Sequence, residues 1–188
     1  MLFRSPGGLR VDYSPVGFVQ VNAGINLQAV ALAIDLLDPG PEDRVLDLFC
    51  GVGNFTLPLA RRAGSVLGVE GEQALVDRAA ANAALNDVTN ASFLRADLSV
   101  DPGAAGWAKA PCDLVLLDPP RAGAEALLPM LGRLRPRRIV YVSCHPASLA
   151  RDAGLLVHQQ GYALVAAGVM DMFPHTAHVE SVATFEPR

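Results

Sequence analysis

Short apolar runs alternate with helical stretches from Arg44 onward, and this alternation limits the fold more than any other feature of the chain. "RVLDLF", "SVLGVE", "ASFLRAD", "CDLVLLD" and "RIVYVS" read as strands. Between and after them, "NFTLPLARRA", "EQALVDRAAANAALN", "EALLPMLGRL" and "PASLARDAGLLVHQQ" read as helices, with Asn54 placed to cap the first. Runs such as "LVLL" and "IVYV" are continuous rather than alternating, which suits strands covered on both faces of a mostly parallel sheet. The pattern predicts an open, doubly wound α/β fold with a seven-stranded, Rossmann-like sheet. The last two runs, "YALVAAGVMDMF" and "HVESVATFEP", have no helical stretch between them and predict an antiparallel hairpin at one edge.

Residues 1–24 are different. "LRVDYSPVGFVQVN" alternates, and Gly7-Gly8 offers a turn, so a small β-hairpin or arm is expected there, followed by a helix over "NLQAVALAIDLL". Residues 25–188 then form the main domain. "DPGAAGWAKAP", residues 101–111, is expected to be a loop.

With 188 residues, 51% hydrophobic and 18% charged, the chain has ample material for one core. "MLFRSPGGLR" lacks the apolar stretch of a secretory signal, and no apolar run is long enough to span a bilayer. Cys50, Cys112 and Cys144 are odd in number and far apart. They form no disulfide framework or C-x-x-C pair, which points to a reducing cytoplasm and away from zinc or an iron–sulfur cluster. The net charge of −4 is not that of a domain that grips nucleic acid alone. The one dense basic stretch, "RLRPRR" at 133–138, reads more simply as a solvated turn than as an RNA contact.

In a doubly wound sheet, ligands sit beyond the carboxyl ends of the strands. The first strand of the series runs into "DLFCGVGNFT", where Gly51 and Gly53 allow a tight turn and a close approach of backbone to ligand. Thr56 stands where a dinucleotide fingerprint has its third glycine. The second strand ends in Glu70, 19 positions beyond Gly51, where an acid can take ribose hydroxyls. The third ends in Asp97, placed to take an adenine amine. Ribose and adenine without pyrophosphate describe S-adenosylmethionine; NAD is the second choice.

"DLFCGVGNF", "LLDPPRAG", "YVSCHPASLARD" and "HVESV", in this order, resemble the RNA uracil-C5 methyltransferases, and the branch acting on 23S ribosomal RNA most of all. The likeness runs from Leu9 to Glu186. It implies a class I methyltransferase domain whose cofactor contacts fall on Gln20, Phe49, Asn54, Glu70, Asp97 and Asp118. It also implies Cys144 as nucleophile and Glu180 as base. Family members usually carry an N-terminal RNA-binding barrel, and the 23S branch a four-cysteine iron–sulfur site; neither is expected in this chain. His145 stands where the family usually has Asn.

The chemistry explains the residue types. Carbon 5 of uracil is a poor nucleophile until a thiolate adds to carbon 6, and a base must afterwards remove the carbon-5 proton. Cys144 lies at a strand end just before a helix, where the helix N-terminus is expected to favour thiolate, with Pro146 set for the first turn. The target base is expected to be flipped out of its stack. Cys50 and Cys112 are expected to be inert core thiols. Taken alone, Glu180 could be an exposed strand acid, Asp118 a helix-capping turn acid, and Arg121 either a phosphate contact or half of an ion pair. His145, His175 and His178 have no acid in ligand register, which argues against a metal. The rivals are a transfer-RNA enzyme of the same chemistry and a non-catalytic binding module. A third, an amino-group methyltransferase with a D-P-P motif, would need no cysteine and usually has an aromatic where this chain has Arg121.

Overall fold

The computed structural model describes residues 2–4, 8–12, 23–171 and 179–188. Two short strands, β1 (Leu2–Arg4) and β2 (Arg10–Asp12), pair antiparallel with Leu2 opposite Asp12. Helix α1 (Ala23–Leu37) leads into the main sheet. Its elements follow as β3 (Arg44–Leu48), α2 (Thr56–Ala60), β4 (Ser65–Glu70), α3 (Gln73–Leu85), β5 (Ala91–Arg95) and β6 (Leu114–Leu117). A 3-10 turn (Glu125–Leu127) then precedes α4 (Leu128–Leu134), β7 (Arg138–Ser143), α5 (Pro146–Gln159), β8 (Tyr162–Met170) and β9 (Glu180–Pro187).

The main sheet has seven strands in the order β5-β4-β3-β6-β7-β9-β8. Five are parallel, and β9 runs antiparallel between β7 and β8, as the sequence predicts. From β3 the chain winds outward through β4 and β5, then returns to lay β6 on the other side of β3. That reversal opens a crevice at the carboxyl ends of β3 and β6.

The continuous apolar runs are explained by two cores, one on each face. Successive side chains of a strand point to opposite faces. Val45 of β3, Leu114 and Leu116 of β6, and Val140 and Val142 of β7 join α1 and α2 on one side. Leu46, Leu48, Val115, Leu117, Ile139 and Tyr141 face the α4 and α5 side. A leucine such as Leu116, with no exposed surface, stabilises the fold by about 1.5–3 kcal/mol relative to an exposed one. The N-terminal arm joins the first core through Leu9 and Val11. It is tied down by Asn82, whose amide donates to the Asp12 carbonyl while its oxygen accepts the Asp12 N–H.

The basic stretch at 133–138 is consumed by ion pairs. Arg133 meets Asp101 at 2.9 Å, Arg137 meets Asp43 at 2.6 Å, and Arg138 meets Glu186 at 2.7 Å. Arg135 lies over the Tyr162 ring at 6.0 Å. The plain reading of this stretch as a solvated turn therefore accounts for it. No helix among the described residues is long and apolar enough to cross a membrane.

Candidate active site

The turn after β3 is wound tightly. Phe49 has φ +64°, Gly51 +54° and Gly53 +91°. The Phe49 and Cys50 amides both reach back to the Val69 carbonyl, at 2.9 and 3.2 Å. A bulky residue with positive φ is costly and persists where surrounding structure enforces it. Space above Gly51 is open, since a side chain there would meet nothing within 4 Å.

Asn54 does not cap the following helix, contrary to the sequence expectation. Phe55 takes the N-cap position and no side chain caps it. The Asn54 amide instead exchanges two hydrogen bonds with Asn26 of α1, at 3.0 and 3.1 Å, because the tight turn carries Asn54 away from the start of α2.

Glu70, ending β4, accepts the Gly51 N–H on one carboxylate oxygen at 3.0 Å. Its other oxygen takes Gly71 N–H at 2.7 Å and Glu72 N–H at 3.2 Å. Asp97, beyond β5, accepts the Ser99 amide at 2.9 Å and hydroxyl at 2.6 Å. The Ser99 bonds, hydroxyl first, hold the Asp97 carboxyl below its usual range. Beside it lies a cavity of about 450 Å³ lined by Phe49, Leu98, Ser99, Pro120, Gly123 and Arg151.

A second group of acids gathers around Cys144. The antiparallel register sets Ser143 of β7 opposite Ser181 of β9. The next residue outward on each strand is Cys144 and Glu180, so the pairing brings both to the same sheet end. Asp118 follows β6 next door, its amide donating to the Leu48 carbonyl at 3.3 Å. Glu180 is 5% exposed, so it is not the solvated strand acid that its sequence position alone would allow. Burial pushes its carboxyl up. Asp118 is pushed up to about 8, first by burial and then by the charges of Glu180 and Asp47. Asp47, fully buried in β3, is pushed up to about 7 by burial, against the pull of the Thr56 hydroxyl that donates to it at 2.5 Å; Glu70 adds to the rise.

These acids correct the expectation for Cys144. The thiol does sit at the start of α5, with Pro146 as the first helical residue. Burial raises its pKa, however, and Glu180 and Asp118 raise it further; Arg121 pulls the other way. The net direction is upward, burial and the two carboxyls outweighing Arg121. His145 caps α5, its Nδ1 accepting the Ser148 amide at 3.3 Å. This is the service an Asn would give.

Cys50 is buried and its thiol is driven up by burial, then by Asp47 and Glu70; Cys112 is raised to about 11, chiefly by burial. Both fit the inert role expected of them. Gln20, His175 and His178 lie outside the described residues. Among the described residues, no group of three potential ligands is placed to hold a metal. Sequence reasoning missed Asp47, although a lone acid within an apolar strand is a readable signal. It also missed Asn26, whose position in a helix gave none.

A doubly wound sheet with a glycine turn after β3, an acid ending β4 and another just beyond β5 is the architecture of class I methyltransferases. The tRNA (Uracil-5-)-methyltransferase family model matches residues 9–101 and 107–187, and the chain belongs to that family. It is 56% identical over 184 residues to the 23S rRNA (uracil(1939)-C(5))-methyltransferase RlmD of Stenotrophomonas maltophilia, covering 98% of this chain and 41% of that protein. It is 59% identical to the RlmD of Alkalilimnicola ehrlichii, with 96% and 41% covered. The chain thus spans about two fifths of the length of these relatives. The Pyrococcus abyssi tRNA (uracil-54, C5)-methyltransferase, solved in complex with S-adenosyl-L-homocysteine, superposes with a TM-score of 0.81 at 34% identity, over 95% of this chain and 42% of that one.

Proposed function

We propose that this chain is the catalytic portion of an S-adenosylmethionine-dependent RNA uracil-C5 methyltransferase whose substrate is 23S ribosomal RNA. In this reading residues 25–188 form the catalytic domain and residues 1–24 an accessory arm, and the enzyme works in the cytoplasm. The observation that carries the proposal is the register that sets Cys144 and Glu180 side by side, with Asp118 adjacent, beyond the glycine turn.

The residues present fit the cofactor. Asp47 Oδ1 is buried without a hydrogen-bond partner among the described residues. Glu70 retains acceptor capacity for ribose hydroxyls beside its three amide bonds. Gly51, Phe49 and Asn54 would shape the turn against the cofactor, Asp97 would take the adenine amine, and the family resemblance adds Gln20 to the cofactor contacts. When bound, the cofactor supplies a methyl group on a positively charged sulfur. Such a positive charge near Asp118 would favour its ionised form and offset the charges of Glu180 and Asp47 that oppose it.

Cys144 attacks carbon 6 of a flipped uracil, its thiol proton passing to a nearby carboxylate. The electron pair of the C5–C6 double bond shifts onto carbon 5, which takes the methyl group. Glu180 then removes the carbon-5 proton, the double bond re-forms, and the Cys144 sulfur leaves as thiolate. Asp118 holds the ring edge or the methionine part of the cofactor, and the stiff Pro119-Pro120 pair sets its loop.

The two RlmD relatives, at 56% and 59% identity, favour ribosomal RNA. The 34% identical P. abyssi enzyme and the family model's description keep transfer RNA as a second reading. The test is methylation of both RNAs read by mass spectrometry of 5-methyluridine. Signal in 23S RNA that disappears in Cys144→Ala, with S-adenosylhomocysteine binding retained, is the expected result. An active Cys144→Ala protein would rule the mechanism out.

A further inference from the structure

A buried carboxylate outside the acid cluster ties three parts of the site together. Asp152, on α5, has no exposed surface. Its Oδ2 accepts the Ala124 N–H at 2.8 Å and the Tyr141 hydroxyl at 2.6 Å. Its Oδ1 accepts Arg151 Nε at 2.8 Å, and Arg151 in turn donates to the Ala122 carbonyl at 2.8 Å. Tyr141 is itself fully buried in β7, three residues before Cys144. Ala122 and Ala124 belong to the loop that begins at Asp118 and carries Arg121. Between them Gly123 has φ +86°, and a side chain there would meet Arg151 Nη2 and Asp152 Oδ2, both at 2.6 Å. The loop is therefore pressed onto the carboxylate, with glycine the residue that permits it.

We propose that Asp152 is a positioning residue that clamps the 119–124 loop to β7 and α5, and so fixes Arg121 and Asp118 against Cys144. With no exposed surface, it acts through the loop. A buried carboxylate with these donors is rigid, because every departure leaves a buried charge or donor unpaired. The loop is anchored at both ends, by Asp118 N–H on the Leu48 carbonyl and by Ala124 N–H on Asp152. Its middle, Arg121, is exposed and supplies a cation that opposes the carboxyls of Glu180 and Asp118 at the thiol. The proposal rests on the reading of Cys144 as nucleophile, but its central test does not need that reading.

The test is a thiol titration in two backgrounds. Iodoacetamide alkylation of Cys144 is followed against pH by peptide mass spectrometry, without RNA or cofactor. In the otherwise native chain, Arg121→Gln is expected to raise the midpoint by roughly half a pH unit, since it removes the opposing cation. In an Asp152→Asn background the same change should shift the midpoint by less than half of that, because the released loop no longer holds position 121 at the thiol. An equal shift in both backgrounds, or no shift in the first, overturns the proposal. Should Asp152→Asn fail to fold, Tyr141→Phe carries the test, since it removes one arm of the clamp and leaves the others; coupling undiminished in that variant overturns the proposal equally. In the methylation assay, Asp152→Asn is expected to lower kcat about 10- to 100-fold. An unchanged kcat overturns the positioning role. A chain that methylates no RNA yet keeps the Arg121–Asp152 coupling would refute the proposed function and leave the clamp standing.

Discussion

The acids lining the carboxyl ends of the sheet fall into two halves of opposite character. On the β4 and β5 side, Glu70 and Asp97 are wrapped by backbone and hydroxyl donors, and the Ser99 bonds hold Asp97 low. On the β6, β7 and β9 side, Asp118 and Glu180 are raised by burial, with Asp47 raised likewise beneath the crevice. The residue types are the same, and what differs is the count of donors against the loss of water. The first half is arranged to accept hydrogen bonds from neutral groups. The second half is poised to exchange protons or to meet a cation. In the proposed mechanism the first half holds the cofactor and the second half reacts.

The sharpest way to break this division is to remove the charge from the proposed base, Glu180, alone. Glu180→Gln should still allow sulfur addition and methyl transfer, but the carbon-5 proton would then have no acceptor and release would stall. Protein joined covalently to RNA should build up and run as a slower band on a denaturing gel, while turnover is lost. The band should vanish in the double variant with Cys144→Ala. A Glu180→Gln protein that turns over normally would place the base elsewhere. The corresponding loss on the other half should be milder and of a different kind. Glu70→Ala is expected to weaken S-adenosylhomocysteine binding by about 1–3 kcal/mol, read by calorimetry, because ribose hydroxyls lose their acceptor. If Glu70→Ala instead stopped chemistry without changing affinity, the two halves would not be separate.

The division was only half legible in the sequence. The glycine turn, Glu70 and Asp97 could be placed because each ends an apolar run, and position along the chain fixes position along the sheet edge. The nearness of Cys144 and Glu180 could not be read from spacing, since it depends on the register of β7 against β9, 36 positions apart in the chain. The resemblance supplied it instead. The rise in the Cys144 pKa was hidden for the same reason: a helix start is visible locally, whereas the carboxyls opposing it arrive from two other strands. Asn54 was misread because a cap-forming residue ahead of an apolar run is a local signal, and Asn26 competes for it from a helix 28 residues away. Asp152 shares the buried stripe of α5 with Ser148, Leu149 and Leu156, which marks it as special without saying what it holds.

The raised acids also make a prediction about stability. A carboxyl whose folded pKa lies above its unfolded value binds more protons when folded, so its stabilising contribution is present below the unfolded pKa and is lost as pH rises through the folded one. Asp118 at about 8 and Asp47 at about 7 should therefore make the cofactor-free chain steadily less heat-stable between about pH 4 and pH 8. Asp118→Asn should flatten the upper part of this slope and raise the melting midpoint at pH 8, by about 2–4 °C for each kcal/mol of repulsion relieved. A pH profile unchanged by Asp118→Asn would mean that the carboxyl is already ionised at no cost, and the two halves would then differ less than their burial implies.

The smallest effect should come from His145, the residue next to the thiol. It caps α5 through Nδ1 on the Ser148 amide, a bond of 3.3 Å, while the Ser148 hydroxyl donates to its carbonyl at 2.9 Å. An asparagine oxygen can accept the same amide, so His145→Asn should change stability by no more than about 0.5 kcal/mol, whereas His145→Ala should cost about 1 kcal/mol. Thermal melts of the two variants at neutral pH separate these cases. The alkylation midpoint of Cys144 should stay put in His145→Asn, because burial, the carboxyls of Glu180 and Asp118 and the cation of Arg121 account for its shift. A midpoint that moved upward in His145→Asn would show the imidazole acting as a cation at the thiol. The proton-exchanging half of the site would then include a base that an asparagine cannot replace, and His145 would have to be counted with the chemistry rather than with the helix.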